Sequence, residues 1–238
     1  MFTIRIADIN VRIDNKFEYV LKLCNKYVIS DTEIPDIEIS VTDEELDAEM
    51  SIAEIKVTRG YAEGVCVYRK ICKQLPKLFE SYLFHSAVIE YEGKGYAFAA
   101  KSGTGKSTHI SLWRKHFGKD VHIVNGDKPI MRFVDNELRA YGTPWCGKEG
   151  LENNTSVALF AICFIERAKI NSIRRITPDE AIMRMFQQIL TPDDRCSVDA
   201  LFPLLDRTLT QIPCYVLGCN ISEEAAEVAY KGMNQIID

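Results

Sequence analysis

Residues 97–108 read Ala97-Phe98-Ala99-Ala100-Lys101-Ser102-Gly103-Thr104-Gly105-Lys106-Ser107-Thr108, and this stretch decides how the chain is interpreted. An apolar run typical of a strand ends, small residues follow, and a helical pattern begins at the Gly-Lys-Ser-Thr segment. Such a turn directs successive backbone N–H groups into one concavity, and the N-terminus of the following helix attracts anions. The stretch therefore predicts a phosphate-binding loop.

This interpretation gives the residues of the loop separate roles. Lys106 is expected to contact the β- and γ-phosphates of a nucleotide, and the Ser107 hydroxyl to bind Mg²⁺. The residues expected to surround the phosphates are Ser102, Gly103, Thr104, Gly105, Lys106, Ser107 and Thr108. The alternative is a Gly/Ser-rich turn before an unrelated helix.

One position departs from the pattern G-x-x-x-x-G-K-[ST], because Ala100 stands where the pattern has its first glycine. If the backbone there required a positive φ, alanine would cost about 1–2 kcal/mol. A hydrogen bond to a charged phosphate contributes about 1.5–3 kcal/mol. Several such bonds outweigh one strained residue, so the loop is expected to tolerate Ala100.

Composition limits the class of protein. A chain of 238 residues, 47% of them hydrophobic, fits one large domain or a core with a small extra lobe. The net charge is −5, with no basic stripe of the kind that binds nucleic acid. The eight cysteines are scattered and are expected to be reduced core residues. The chain begins like a strand rather than a signal peptide and has no apolar run long enough for a membrane, so we expect a cytoplasmic protein without a membrane partner.

The first third of the chain predicts a small N-terminal α+β lobe, residues 1–80, in which we find no chemistry. Its predicted elements are a strand over 2–13, a helix over 16–28, a strand over 36–41, an acidic loop or short helix over 42–50, a strand over 52–58 and a helix over about 62–75 that ends near Pro76. Residues 81–238 are predicted to form the core that carries the loop.

Two strands around Gly93 predict a hairpin, so the strand that leads into the loop has an antiparallel neighbour. In ordinary P-loop proteins, the strand that leads into the loop belongs to a parallel βαβ arrangement. The other predicted elements are strands over 83–91, 96–100, 121–125, 157–165 (central) and 214–219, a hairpin over 130–133 and 137–141, a glycine-bounded loop over 142–150, and helices over 108–117, about 177–190, 197–209 and 223–237.

Asp127 follows the strand after the loop helix. A strand beside the loop brings its last residue near the γ-phosphate, because ligands collect at that edge of open α/β sheets. A carboxylate there could bind Mg²⁺ or its water shell, or accept the proton of an attacking hydroxyl. The alternative is a turn aspartate, since Asn-Gly-Asp-Lys-Pro is also a good turn sequence.

The order of these features resembles HPr kinase/phosphorylase, with phosphoenolpyruvate carboxykinase as a related core. The segments that carry the resemblance are His85, Gly93-Lys94, Ser102 to Thr108 and Gly126-Asp127-Lys128; the segments 125–129 and 141–149 look like uncharacterised bacterial HPr-kinase-like proteins. The resemblance covers roughly residues 80 to 190. It implies an α/β, mixed-sheet P-loop core of the carboxykinase type, ATP, Mg²⁺, and a hydroxyl acceptor on a peptide or small protein.

The chain departs from that family at its second motif. HPr kinases carry two adjacent aspartates there, whereas Gly126 or Lys128 stands beside Asp127 here. Two close carboxylates raise one pKa and give a better base, so a lone Asp127 is expected to be a weak base. Phosphoryl transfer depends mainly on positioning and charge stabilisation, so the departure weakens the phosphorylase reaction more than the kinase reaction.

Other residues have a functional and a structural interpretation. His85 matches the family histidine near the transferred phosphate, or is an ordinary hydrogen-bonded strand residue. Lys128 pairs with a phosphate or is a solvated turn residue. Trp145, Lys148 and Glu149 either recognise the acceptor or form an ordinary turn with a core tryptophan. Arg174 and Arg175 either stabilise transition-state charge or form a surface pair in a connection. His109, His116 and His122 are interpreted as structural residues.

Three hypotheses follow. The first is an ATP- and Mg²⁺-dependent kinase of a serine or threonine hydroxyl on a peptide or small protein, with catalytic residues Asp127, Lys106 and His85 and with Ser107 and Asp127 at the metal. The second is a nucleotide-binding regulatory module without transfer activity. The third is a kinase of a small-molecule alcohol. The sequence leaves the oligomeric state open.

Overall fold

The first 80 residues build a sheet with helices against it. The computed structural model describes residues 1–30, 33–53 and 55–235. The strands are β1 (Phe2–Ile6), β2 (Ile9–Asp14), β3 (Val28–Ile29) and β4 (Ile37–Ser40), in the order β3-β1-β2-β4. The helices are α1 (Glu18–Leu23), α2 (Asp43–Ile52) and α3 (Arg59–Phe79).

Several predictions for this part were wrong. The strand predicted over 2–13 is a hairpin that turns at Ala7-Asp8, and the helix predicted over 16–28 ends at Leu23 because Val28 pairs with Ile4 in the sheet. The strand predicted over 52–58 does not form, since α2 extends to Ile52 and the described residues after it are irregular. That helix begins at a capping box in which Thr42 and Glu45 satisfy each other's backbone N–H groups.

Helix α3 continues past Pro76, where the sequence predicts its end. A proline inside a helix costs about 3 kcal/mol, because it removes one backbone hydrogen bond and crowds the preceding turn. Leu75 and Pro76 are buried against the core, and this burial offsets the cost. The helix ends instead at Phe79, and the next residue, Glu80, takes the left-handed conformation with φ 46°.

The rest of the chain forms a mixed sheet with helices, so the predicted α/β class is confirmed; its assignment to the carboxykinase type stays a prediction. The sheet has the order β5-β9-β10-β11-β7-β6-β8, with β13 beside β11 and β12 beside β13. The strands are β5 (Ser81–Leu83), β6 (Ser86–Tyr91), β7 (Lys94–Ala99), β8 (His122–Asn125), β9 (Ile130–Val134), β10 (Glu137–Tyr141), β11 (Ser156–Arg167), β12 (Ser172–Ile176) and β13 (Cys214–Cys219). The helices are α4 (Lys106–Phe117), α5 (Pro178–Met185), α6 (Arg195–Gln211) and α7 (Glu224–Asn234).

The predicted hairpin around Gly93 is confirmed, because β6 pairs antiparallel with β7. Its turn, Glu92-Gly93, has φ of 53° and 73°, the pattern of a tight two-residue hairpin loop. The predicted hairpin of β9 and β10 is also confirmed, and β11 is central as predicted, lying parallel to both β7 and β13.

Four predictions in this part need correction. The strand predicted over 83–91 is interrupted at Phe84 and His85, which lie between β5 and β6. Arg174 and Arg175 lie in strand β12 at the edge of the sheet rather than in a connection. Helix α5 ends at Met185 rather than near 190. The final helix ends at Asn234 because Gln235 is extended, while positions 236–237 of its predicted range lie outside the described residues.

The two parts of the chain share apolar packing. One core cluster contains Ile4, Val11, Val67 and other residues of β1–β4 and α1–α3, together with Leu83, Ile130, Tyr141 and Trp145. The proposed division into residues 1–80 and 81–238 stays a prediction. Among the residues that the structure describes, none of the helices combines the length and apolar character that crossing a membrane requires. The cysteines are free, and all except Cys196 are buried.

Candidate functional site

The glycine-rich loop, residues 100–105, joins β7 to α4. Gly103 and Gly105 have φ of 74° and 129°, which side chains rarely adopt, so glycine is required at both. Ala100 is not among the residues with positive φ, so the departure from the pattern carries no backbone strain. Helix α4 begins at Lys106, two residues earlier than predicted, and its N-terminus therefore adjoins the loop.

Arg167 at the end of β11 contacts this loop through two hydrogen bonds. Its guanidinium donates hydrogen bonds to the backbone oxygens of Gly103, at 2.5 Å, and Thr104, at 3.3 Å. Arg167 could not be identified from the sequence, because nothing in the local pattern links the end of one strand to a loop more than sixty residues away. Within the loop, the Thr104 N–H donates to the Lys101 carbonyl at 3.1 Å.

Lys106, His85 and Asp127 meet at the mouth of the loop. His85 Nε2 lies 2.9 Å from Asp127 Oδ1 and 3.0 Å from Lys106 Nζ. The Lys106 ammonium also donates to the Ala100 carbonyl at 3.2 Å. The structure thus brings together the three residues named as catalytic, and places them with Ser102, Gly103, Gly105, Ser107 and Thr108 around one cavity of about 910 Å³.

Gln188 contacts both the backbone and the ring of His85. The His85 backbone N–H donates to the Gln188 carbonyl at 2.7 Å, and His85 Nδ1 lies 3.1 Å from Gln188 Oε1. With a proton, His85 Nε2 donates to Asp127; without one, it accepts from Lys106. The ring therefore makes one of these two hydrogen bonds at a time. Gln188 could not be identified from the sequence either, since it is 103 positions from His85.

Asp127 is fixed by a turn that begins at Asn125, the last residue of β8. Asn125 Oδ1 accepts hydrogen bonds from the backbone N–H groups of Asp127, at 2.9 Å, and Lys128, at 2.7 Å. Its amide nitrogen donates to the Thr143 carbonyl at 2.9 Å. Asn-Gly-Asp-Lys is thus a true turn, and this turn places the Asp127 carboxylate in the cavity.

Lys128 forms an ion pair with Asp127 Oδ2, so the alternative in which it is a solvated turn residue is wrong. Burial alone would raise the pKa of the Asp127 carboxyl, but the hydrogen bond from His85 and the charge of Lys128 hold it well below its ordinary value. Burial lowers the pKa of Lys106, and the Asp127 charge partly opposes that effect. Asp127 is therefore ionised at neutral pH and is a weak base.

The donor set fits Mg²⁺. Ser107 supplies a hydroxyl and Asp127 a carboxylate on the same cavity. Within residues 1–30, 33–53 and 55–235, no group of three or more His, Cys, Asp or Glu side chains is arranged to hold a metal ion. Mg²⁺ needs no such group, because it is usually held by one or two carboxylates together with phosphate oxygens and water.

Of the other candidate residues, some line the cavity that contains Asp127 and others lie elsewhere. Trp145, Lys148 and Glu149 line the same cavity as Asp127. Arg174 instead pairs with Glu180 on the surface. His116 and His122 are exposed, whereas His109 is 2% exposed and accepts a hydrogen bond from Trp113 Nε1 at 3.0 Å, which supports its structural interpretation.

We expect His109 to make the protein acid-sensitive. Burial lowers the pKa of His109 to about 3, while a histidine in the unfolded chain has a pKa of about 6.5. Between these values the unfolded chain binds the extra proton, so the free energy of unfolding falls as pH falls, by up to about 1.4 kcal/mol per pH unit. Urea denaturation at about pH 7 and at about pH 5 should show that the free energy of unfolding decreases less for His109→Gln than for the original chain. His116→Gln, on the exposed side of the same helix, is the control and should lose stability like the original chain.

The sequence matches no known protein family, and it matches no curated protein. The fold is similar to a solved structure described as the HPr(Ser) kinase/phosphatase from Coxiella burnetii. The two chains are 8% identical, with a TM-score of 0.38 over 63% of this chain and 94% of that chain. A similarity this distant says nothing about the activity of the present chain, and membership of the HPr-kinase group stays a prediction.

Proposed function

We propose that this protein is a kinase that binds ATP with Mg²⁺ and transfers the γ-phosphoryl group to a serine or threonine hydroxyl of a peptide or small protein. The proposal includes a P-loop core of the HPr kinase and carboxykinase type. The observation that carries it is the meeting of an ammonium group, an imidazole and a carboxylate at the mouth of a glycine-rich loop, with contacts of 2.9 and 3.0 Å.

The loop and α4 bind the triphosphate in this proposal. Backbone N–H groups of residues 102, 103 and 105–107, which include the N-terminus of α4, face the phosphates, whereas the Thr104 N–H donates to the Lys101 carbonyl. Lys106 neutralises charge on the β- and γ-phosphates. Lys106 needs only to leave the His85 ring and the Ala100 carbonyl to do so. Ser107 and Asp127 would hold Mg²⁺, which neutralises charge that develops between the phosphates.

Asp127 orients the acceptor. The acceptor oxygen forms a bond to the γ-phosphorus as the bond to the β,γ-bridging oxygen breaks, which releases ADP; the hydroxyl proton passes to the Asp127 carboxylate. His85 pairs with Oδ1 and Lys128 with Oδ2, and each carboxylate oxygen has a second lone pair that can accept a hydrogen bond from the acceptor hydroxyl. Because the transition state is loose, positioning contributes more than the strength of the base.

The same pairing of Asp127 supports the second candidate, a nucleotide-binding module without transfer activity. A carboxylate occupied on both oxygens and held ionised resembles a structural ion pair. In that case the cavity would bind Mg·ATP, and no acceptor would be phosphorylated. The third candidate, a kinase of a small-molecule alcohol, uses the same residues.

One assay separates these candidates. ATP labelled at the γ-phosphate is incubated with Mg²⁺, the protein, and either a serine- and threonine-containing peptide library or a panel of metabolites with hydroxyl groups. We expect labelled peptide that disappears when Mg²⁺ is chelated. Labelled metabolite without labelled peptide would favour the third candidate, and nucleotide binding without any transfer would favour the second.

A further inference from the structure

The cavity that contains Asp127 extends well past the glycine-rich loop to an aromatic surface. Tyr19 of α1, Tyr61 and Tyr68 of α3, and Trp145 of the loop over residues 142–150 line its far side, and we call these four residues the aromatic wall. Three of them belong to elements of the first 80 residues, where the sequence analysis found no chemistry. None of the four is needed to bind phosphates.

The residues of the aromatic wall contact one another and helix α3. The Trp145 indole N–H donates to the Gly64 carbonyl of α3 at 3.1 Å, and its ring lies 5.7 Å from the Tyr68 ring. The rings of Tyr19 and Tyr61 lie 6.1 Å apart. Tyr19 also packs on α3 where the helix has Gly60, and a Cβ added there would lie 2.9 Å from the Tyr19 Cβ.

The aromatic wall adjoins Asp127. Lys128 Nζ, which pairs with Asp127, lies 5.8 Å from the centre of the Tyr68 ring. Gly147, two residues after Trp145, approaches Asp127 so closely that an added Cβ would lie 3.2 Å from the Asp127 Cβ. An acceptor hydroxyl within hydrogen-bond distance of Asp127 therefore brings the groups next to it against Tyr68 and Trp145.

We infer that the aromatic wall binds the acceptor, and that the acceptor is a polypeptide segment with an aromatic or other large apolar side chain near the phosphorylated serine or threonine. This inference rests on the proposed function and specifies its substrate. Tyr19 is 40% exposed and Tyr61 is 47% exposed at the cavity, so both rings offer uncovered apolar surface. Exposed tyrosines are typical of the centres of peptide and protein interfaces.

The nucleobase has a different place. Under the proposed function the γ-phosphate is bound by Lys106 and Asp127, so the base lies away from these two residues. A separate cavity of about 390 Å³ borders the loop at residues 103–105, with Thr108, Leu112 and Ile221 on its walls and neither His85 nor Asp127. Apolar walls of this kind suit a base, and the aromatic wall stays free for the acceptor.

The test uses a positional peptide library in which a central serine is fixed and each flanking position is varied in turn, with labelled ATP and Mg²⁺. The original chain should label peptides with Phe, Tyr, Trp or Leu at one flanking position by about tenfold or more over peptides with Ala or Gly there, as expected for an aromatic anchor. Tyr61→Ala should lose this preference and Tyr61→Phe should keep it. Phe202→Ala, which removes an aromatic ring that is 51% exposed on α6, is the matched control and should also keep it.

Three results would overturn the inference. The first is labelling of all peptides alike, the second is a preference that survives Tyr61→Ala, and the third is Mg·ATP binding without labelling of any peptide. Inorganic tripolyphosphate, which lacks a base, tests whether the aromatic wall binds the nucleobase rather than the acceptor. If Tyr61→Ala weakens the binding of ATP but not of tripolyphosphate, the aromatic wall holds the nucleobase instead. The third of these results would also contradict the proposed function, and so would the absence of any Mg·ATP binding to the original chain, whereas the first two results leave the proposed function intact.

Discussion

Lys106→Ala should abolish most of the thermal stabilisation that Mg·ATP gives to this protein. A ligand at 100 times its dissociation constant adds about 2.7 kcal/mol to the free energy of unfolding. For a chain of this size that corresponds to a rise in melting temperature of roughly 5–10 °C. The Lys106 ammonium contacts the loop through the Ala100 carbonyl at 3.2 Å, and alanine leaves the β- and γ-phosphates without this cation.

The comparison needs melting curves with and without Mg·ATP. Lys106 is buried, and burial lowers its pKa, so its charge does not stabilise the empty protein and the variant should fold. Lys101→Ala is the matched control, because Lys101 is an exposed lysine of the same loop. An unchanged Mg·ATP shift in Lys106→Ala would place the nucleotide elsewhere in the molecule.

Asp127→Asn should reduce phosphoryl transfer far more than nucleotide binding. Asparagine has the same shape and keeps the backbone hydrogen bond to Asn125 Oδ1, but it has no charge for Mg²⁺ and cannot take the acceptor proton. Removing a positioned acid or base typically costs about 10²–10⁴-fold in rate. The measurement is single-turnover transfer from labelled ATP, with the Mg·ATP melting shift of the same variant recorded beside it.

Asp135→Asn makes the same substitution in the turn between β9 and β10. Asp135 has a φ of 48°, which asparagine also adopts, so this control should retain both transfer and binding. Equal losses of transfer and binding in Asp127→Asn would contradict the assigned role, because they would indicate that the carboxylate mainly holds the nucleotide. Full transfer in Asp127→Asn would exclude Asp127 as the acceptor's partner.

The sequence predicted the features that depend on neighbours along the chain. The turn at Glu92-Gly93, the helix after Gly105 and the position of Asp127 after β8 follow from local composition, and the structure agrees with them. The approach of His85 to Asp127 could be anticipated only through the family resemblance. No local pattern brings together residues 42 positions apart.

Features that depend on distant contacts could not be predicted in this way. Arg167 reaches the loop from β11, and Gln188 reaches His85 from beyond α5. Pro76 stays helical because tertiary burial outweighs its local preference. The exposed strand β12 has too few apolar residues to be recognised, and it forms because β13 offers a free edge.

The indole of Trp145 ties α3 to the loop beside Asp127, and this link limits how the protein can be redesigned. Under the inference above, swapping α1 and α3 for helices from another chain would be the natural way to retarget the enzyme to a new acceptor. Leu83, Ile130, Tyr141 and Trp145 pack into the same core as those helices. A successful graft must therefore carry these four side chains with it, and a chimera joined simply at residue 80 should be unstable.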